Sequence, residues 1–232
     1  MLSIENLVVN VEKQIIKVSL VFEPGKNYCI LKNGSGKSSL AMTVMHPKYE
    51  IQTKITVKKN ESYELNSMGT EERAKLIFLA FQSIPEIKIK LFEFLRTIYS
   101  EKVVNISFLQ FKKIIEPLLE ELSIDRDFLR RDLNVGFSGG ERRKLEVLQI
   151  RLLNPVYIIL DEVDSGLDVD SFRSVANLLK SVDNTGNCFI IVTHLFTILE
   201  YVSVNKVWVM QDKVQREENL AMEIKKNGFT NI

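Results

Sequence analysis

Two short stretches of this chain carry residue types at spacings that could do chemistry. In residues 32–39, Lys-Asn-Gly-Ser-Gly-Lys-Ser-Ser, Gly34 and Gly36 let successive backbone N–H groups curl around phosphate oxygens. Lys37 supplies a point charge there, and the Ser38 hydroxyl a magnesium ligand. Far downstream, Asp161 and Glu162 end a continuous apolar run at 156–160. An acidic pair at the carboxyl end of a buried strand stands where open α/β sheets bind their ligands, and it reads as a metal and water site. One carboxylate would suffice to cap a helix, whereas this pair is followed by Asp164 and Asp168. Phosphate loop and acidic strand end are two halves of one nucleotide–magnesium site. Two other apolar runs also end in polar groups: residues 76–81 in Gln82, and residues 188–192 in Thr193 and His194. Gln82 reads equally as a contact to metal or water and as an ordinary polar residue ending its strand, and His194 is a candidate for sensing a γ-phosphate. The loop departs from its full pattern at Leu31, which holds the position of the first glycine. A β-carbon there is expected to crowd the tight turn that lets backbone amides approach phosphate.

The elements that must position these residues can be read in chain order. The alternating runs at 7–11 and 14–22 predict an antiparallel pair with one buried face. Glu23-Pro24-Gly25-Lys26 is a turn, residues 28–31 are a short buried strand, and residues 55–57 are another strand. Thr70-Glu71-Glu72-Arg73 resembles a capping box opening a short helix, and residues 76–81 are a second core strand. From Pro85 to Leu133 the pattern turns helical, with no strand-like alternation. The expected organisation is one domain, with a nucleotide-binding core at 1–82 and 137–232 and an inserted helical lobe at 83–136. Phe92, Phe94, Tyr99, Phe108 and Phe111 read as lobe core rather than a ligand box. The Ser138-Gly139-Gly140 turn opens a helix with Leu145, Leu148, Leu152 and Leu153 on one side, stopped by Asn154 and Pro155. After the strand at 156–160 come a helix at 171–180, a strand at 188–192, edge strands at 207–210 and 213–215, and an amphipathic helix at 219–226.

Composition narrows the function classes. Lys and Arg number 31 against 30 Asp and Glu, and no basic stripe stands out, so the electrostatic footprint of a nucleic-acid binder is missing. Cys29 and Cys188 each lie in an apolar run and read as buried small hydrophobes. With two histidines and two cysteines scattered along 232 residues, the chain is not expected to hold an iron–sulfur cluster by itself. No apolar run approaches the ~20 residues of a membrane span, and the first ten residues lack the positive region of a secretory signal. The expectation is a soluble chain without direct membrane insertion, in the cytoplasm or, if organellar, in a plastid stroma.

Taken together, the loop from Gly34 to Ser38, Gln82, Phe137-Ser138-Gly139-Gly140-Glu141, residues 158–162, Ser165-Gly166-Leu167-Asp168 and His194 resemble, in this order, the motifs of the nucleotide-binding domain of ABC ATPases. Within that superfamily the similarity is to the ATPase of the SUF iron–sulfur cluster assembly system. It rests on HPKYE at 46–50, IFLAFQ at 77–82, FLRT at 94–97, NVGFSGGERRKLEVLQ at 134–149, LDEVDSGLDVD at 160–170 and Gly228-Phe229 near the end. The fold this resemblance implies is α/β, a P-loop NTPase (RecA-like) core of ABC ATPase type with an N-terminal antiparallel β subdomain and an inserted helical lobe.

The resemblance also implies cofactors, roles and partners. ATP and Mg2+ would bind at the loop of Asn33, Gly34, Ser35, Gly36, Lys37, Ser38 and Ser39, with Lys37 on the β- and γ-phosphates and Ser38 on the metal. Asp161 would hold the metal through water, and Glu162 would polarise the attacking water. Gln82 would link water and metal to the lobe, His194 would contact the γ-phosphate, and Asp168 would join the nucleotide contacts. Ser138, Gly139 and Gly140 would complete the site of an opposing subunit in a head-to-tail dimer formed on ATP binding. The implied partners are the SUF scaffold subunits (SufB/SufD-like). Two departures stand beside Leu31: residues 11–14 hold no aromatic to stack on adenine, and Ser83-Ile84-Pro85-Glu86 lacks the usual glycine after its proline. The ATPase subunit of a membrane transporter would share every catalytic motif and differ in the coupling segment after Gln82. A binding module without turnover is a third reading, which the Asp161, Glu162 and His194 set opposes.

Overall fold

Alternation of apolar and polar residues builds the N-terminal sheet of the computed structural model, which describes residues 1–11, 14–32, 44–45, 54–58, 62–80, 85–161, 186–193, 204–211 and 214–218. β1 (Leu2–Val11) and β2 (Gln14–Phe22) are the expected antiparallel pair, with Leu2 opposite Phe22 and Val11 opposite Gln14. Leu2, Ile4, Leu20 and Phe22 form its buried face. The turn that follows puts Gly25 at φ +74°, where glycine carries no β-carbon penalty, and passes the chain to β3 (Tyr28–Lys32). β4 (Lys54–Lys58) and β5 (Ser62–Glu64) complete a four-stranded sheet in the order β2-β1-β4-β5.

Helix α1 (Thr70–Ala74) does not begin with Thr70 as its cap. Gly69 is the N-cap, and Glu72 reaches back to accept from the Gly69 N–H at 3.0 Å. Glycine has no side chain to return the bond, so only one half of the expected box is made. After β6 (Ile77–Ala80) the chain enters the helical region, where one expectation fails. β7 (Ile87–Lys90) leads into α2 (Leu91–Ser100) and α3 (Phe108–Glu121), and after a 3-10 turn at Arg126–Arg130 the short β8 (Asp132–Leu133) pairs antiparallel with β7. The sequence Ile-Lys-Ile-Lys does alternate, but all four side chains of β7 are exposed, so the pattern carries no burial signal. Main-chain pairing and the Lys90–Asp132 ion pair at 2.9 Å hold the ribbon. The aromatic residues pack on one another as expected, Phe92 4.6 Å from Phe108 and 5.2 Å from Phe111, with Tyr99 5.7 Å from Phe111. Phe108 is the outer member, 51% exposed.

Helix α4 (Gly139–Leu153) ends where Asn154 turns left-handed at φ 42° and Pro155 follows. β9 (Tyr157–Asp161), β10 (Cys188–Thr193), β11 (Lys206–Gln211) and β12 (Val214–Glu218) then complete a six-stranded sheet in the order β12-β11-β3-β10-β9-β6. All of its neighbours are parallel except β12, which pairs antiparallel with β11. β11 is therefore an interior strand rather than the edge its sequence suggests, and among the described strands β12 and β6 form the two edges. The helices expected at 171–180 and 219–226 lie outside the described residues.

The central strands are buried on both faces, which is why they read as unbroken apolar runs. On β9, Ile158 and Leu160 join a cluster with Leu145 and Leu148 of α4, whereas Tyr157 and Ile159 join Leu2, Ile4 and Phe22 of the antiparallel sheet. The first cluster runs on without a break into Leu91, Leu95, Phe111, Ile115 and Leu119. Cys29 and Cys188 are buried, one in each cluster, and burial pushes the Cys188 thiol up to about 12. Among the described residues no helix is long and apolar enough to cross a membrane.

Candidate nucleotide site and signature turn

Parallel pairing brings the carboxyl ends of four strands to one edge of the sheet. Leu31 of β3 is opposite Thr193 of β10, Val192 of β10 is opposite Asp161 of β9, and Leu160 of β9 is opposite Ala80 of β6. β3, β10 and β9 end directly before Asn33, His194 and Glu162 in sequence, and β6 ends two residues before Gln82. Gln82, Glu162, Asp168, His194 and the loop residues Asn33, Gly34, Ser35, Gly36, Lys37, Ser38 and Ser39 lie outside the described residues, so the structure reports on the scaffold that carries them. Of the residues expected beside the phosphates, Asp161 is described. It is the last residue of β9 and only 7% exposed. A buried carboxylate on this edge is the hard anionic oxygen donor that magnesium takes, so the donor chemistry fits the metal that the phosphate loop implies.

Leu31 is a strand residue, paired with Thr193 on one side and Val209 on the other. Leu31→Gly is expected to act in two directions. Loss of strand propensity lowers stability by roughly 0.5–1 kcal/mol, while removal of the β-carbon relieves crowding at the loop and tightens nucleotide binding. Thermal unfolding reads the first effect and calorimetric titration with ATP the second. Equal or weaker affinity in the glycine variant would show that Leu31 does not crowd the loop.

The second cluster of expected site residues lies at the start of α4. Ser138 is its N-cap: the hydroxyl accepts from the Glu141 N–H at 3.2 Å, and the Glu141 carboxylate accepts from the Ser138 N–H at 2.8 Å. That N–H, helped by the Arg131 guanidinium, holds the Glu141 carboxyl below its usual range against the opposing effect of burial. Gly139 and Gly140 open the helix, so their N–H groups have no partner within it and share the positive end of its dipole. Ser138 and Gly139 are exposed while Phe137 beside them is buried. The turn thus presents an anion-binding face outward from an anchored base.

Several residues that support this turn were not legible as site residues. Arg131 donates to the Gly136 carbonyl at 3.0 Å and pairs with Glu141, and its guanidinium carbon lies 4.4 Å from the Phe137 ring centre. Asn134, fully buried at φ 61°, donates its side-chain amide to the Pro85 carbonyl at 3.1 Å, and Arg142 lies 3.6 Å from Glu86. The signature turn is therefore tied to the segment that begins just after Gln82.

Comparison with known proteins agrees with this geometry. Residues 15–165 match the family model described as ABC transporter. A "Probable ATP-dependent transporter ycf16" of Cyanidium caldarium is 37% identical over 243 aligned residues, covering 98% of this chain and 94% of that protein. The "Iron-sulfur cluster assembly protein SufC" of Plasmodium falciparum (isolate 3D7) is 35% identical over 234 residues, covering 94% of this chain and 66% of that protein. Among solved structures, a dimeric, post-hydrolysis form of the ATP-binding cassette MJ0796 bound to ADP and Pi matches with a TM-score of 0.75 at 20% identity, over 94% of this chain and 98% of that one.

Proposed function

This chain belongs to the ABC transporter family of ATPases, and from that premise we propose that it hydrolyses ATP with magnesium to drive rearrangement of an iron–sulfur cluster assembly scaffold. The observation that carries the reading is the similarity, over nearly the whole chain, to a protein named for iron–sulfur cluster assembly.

In the mechanism, Lys37 binds the β- and γ-phosphates and the backbone N–H groups of residues 33–39 orient them. Ser38 and Asp161 would hold the magnesium ion, with Gln82 beside it. When bound, the ion supplies charge neutralisation to the phosphoryl oxygens. Glu162 takes the proton of the attacking water and His194 faces the γ-phosphate. Asp168 contributes to the nucleotide contacts. Catalysis is then mostly positioning and electrostatics, because phosphoryl transfer asks little covalent chemistry of the protein. Ser138, Gly139 and Gly140 of a second copy close the site, so that ATP binding draws two chains together head to tail. Scaffold subunits attached to the helical lobes move with them.

A transporter subunit is the second reading, favoured by the name of the Cyanidium caldarium relative. Affinity isolation of the tagged chain from its native cell separates the two. Scaffold subunits in the isolate are expected, and a membrane permease in their place would overturn the proposal.

A further inference from the structure

The geometry points to Arg131 as a positioning residue for ATP hydrolysis, acting through its own signature turn on the nucleotide held by the other copy. This inference rests on the head-to-tail reading given above. The guanidinium is a planar fork with donors aimed in different directions, and here both terminal nitrogens are used on the turn. One nitrogen bonds the Gly136 carbonyl, where the chain enters the turn at φ +64°. Another pairs with Glu141, whose second carboxylate oxygen takes the Ser138 N–H at 2.8 Å. The guanidinium carbon lies 4.4 Å from the Phe137 ring centre and 5.5 Å from that of Phe128, and these rings are 4.6 Å apart. Arg131 thus fixes the turn before Phe137, at Phe137 itself and after Gly140, while Ser138 and Gly139 remain exposed.

Magnitudes separate a positioning role from a stabilising one. The Arg131 and Glu141 side chains are 37% and 35% exposed, and an ion pair that wet adds little to folding. The turn, by contrast, must meet a nucleotide bound by another chain, where displacement by about 1 Å can lower a rate about 10²-fold. Loss of Arg131 should leave the fold standing and lower turnover.

Arg131→Met keeps an unbranched apolar stem beside the rings and removes every side-chain hydrogen bond. Its turnover at saturating ATP is expected to fall about 10- to 100-fold, with ATP affinity and unfolding midpoint close to those of the parent, because its own phosphate loop is untouched. Arg131→Lys, which keeps a charge over the rings but cannot bond both Gly136 and Glu141, should fall in the same direction and serves if the methionine variant does not fold. The decisive readout is complementation. Mixed with excess Glu162→Gln chain, the Arg131→Met chain regains turnover, because its intact phosphate loop and Glu162 then meet an intact partner turn. A Ser138→Arg chain mixed in the same way must also regain turnover. If Ser138→Arg is rescued and Arg131→Met is not, Arg131 acts within its own chain and the inference falls. If neither is rescued, the head-to-tail reading falls and takes the inference with it. Unchanged turnover in Arg131→Met overturns the inference outright.

Discussion

Glu162→Gln is expected to lower ATP hydrolysis by about 10²- to 10⁴-fold while ATP still binds. The residue follows directly on Asp161, the buried end of β9, a strand held between β10 and β6 by parallel pairing on both sides. A glutamine keeps the size and hydrogen-bonding capacity of the side chain and removes its ability to accept a proton. Phosphate release at saturating ATP gives the first quantity and calorimetric titration the second. Lys37→Ala should show the opposite pattern and weaken binding, because the role proposed for its charge is on the phosphates and not on the water. Near-normal hydrolysis in Glu162→Gln would remove Glu162 from the mechanism.

Replacing Ile87 and Ile89 together by Asp is expected to abolish co-purification of the scaffold while ATP binding persists. β7 is a strand with no buried side chain: Ile87 is 46% and Ile89 37% exposed, although both are large and apolar. Beside the ribbon, a groove of about 610 Å³ has Phe92, Phe108, Ile115, Leu119 and Leu129 among its walls. Both positions are exposed, where substitutions act mildly on stability, and an unchanged unfolding midpoint with retained ATP binding separates loss of docking from a folding defect. The ribbon joins the segment after Gln82 to α2 and, through the bond from Asn134 to Pro85, to the signature turn. A partner seated there would be coupled to the state of the nucleotide. Should the scaffold still co-purify with the double variant, its docking surface lies elsewhere on the chain.

Which features could be read from the residues follows from the kind of signal each one leaves. Strands β3, β6, β9 and β10 were legible because burial on both faces demands unbroken apolar runs, and the polar residues ending those runs mark one sheet edge. The β7–β8 ribbon was not, since its side chains are all exposed on β7 and its stability comes from main-chain pairing that any sequence could make. Gly69 as the cap of α1 was missed because glycine offers no side chain to recognise, and the reciprocal bond comes from Glu72 alone. Helix α4 showed its leucine stripe but hid the Arg143 and Glu146 pair, which is buried with contacts of 2.7 and 2.9 Å. Burial raises the Glu146 carboxyl, and the Arg143 charge opposes that shift. Arg131 stands in an Arg-Arg-Asp run that looks like a solvated surface, and only the folded chain brings the Phe128 and Phe137 rings together beside it.

That ATP draws two copies together head to tail can be tested by thiol cross-linking. The two native cysteines are buried, so they stay silent toward a soluble bifunctional maleimide. Ser35→Cys places a thiol between Gly34 and Gly36, at a position to which the proposal assigns only backbone contacts with the phosphates, and Ser138→Cys places one on the signature turn. Both are introduced into a chain that also carries Glu162→Gln and isolated with its partners. With ATP and magnesium the reagent should link two copies into a covalent dimer, and with ADP it should not. Equal cross-linking in the two nucleotides, or none with ATP, would contradict the account.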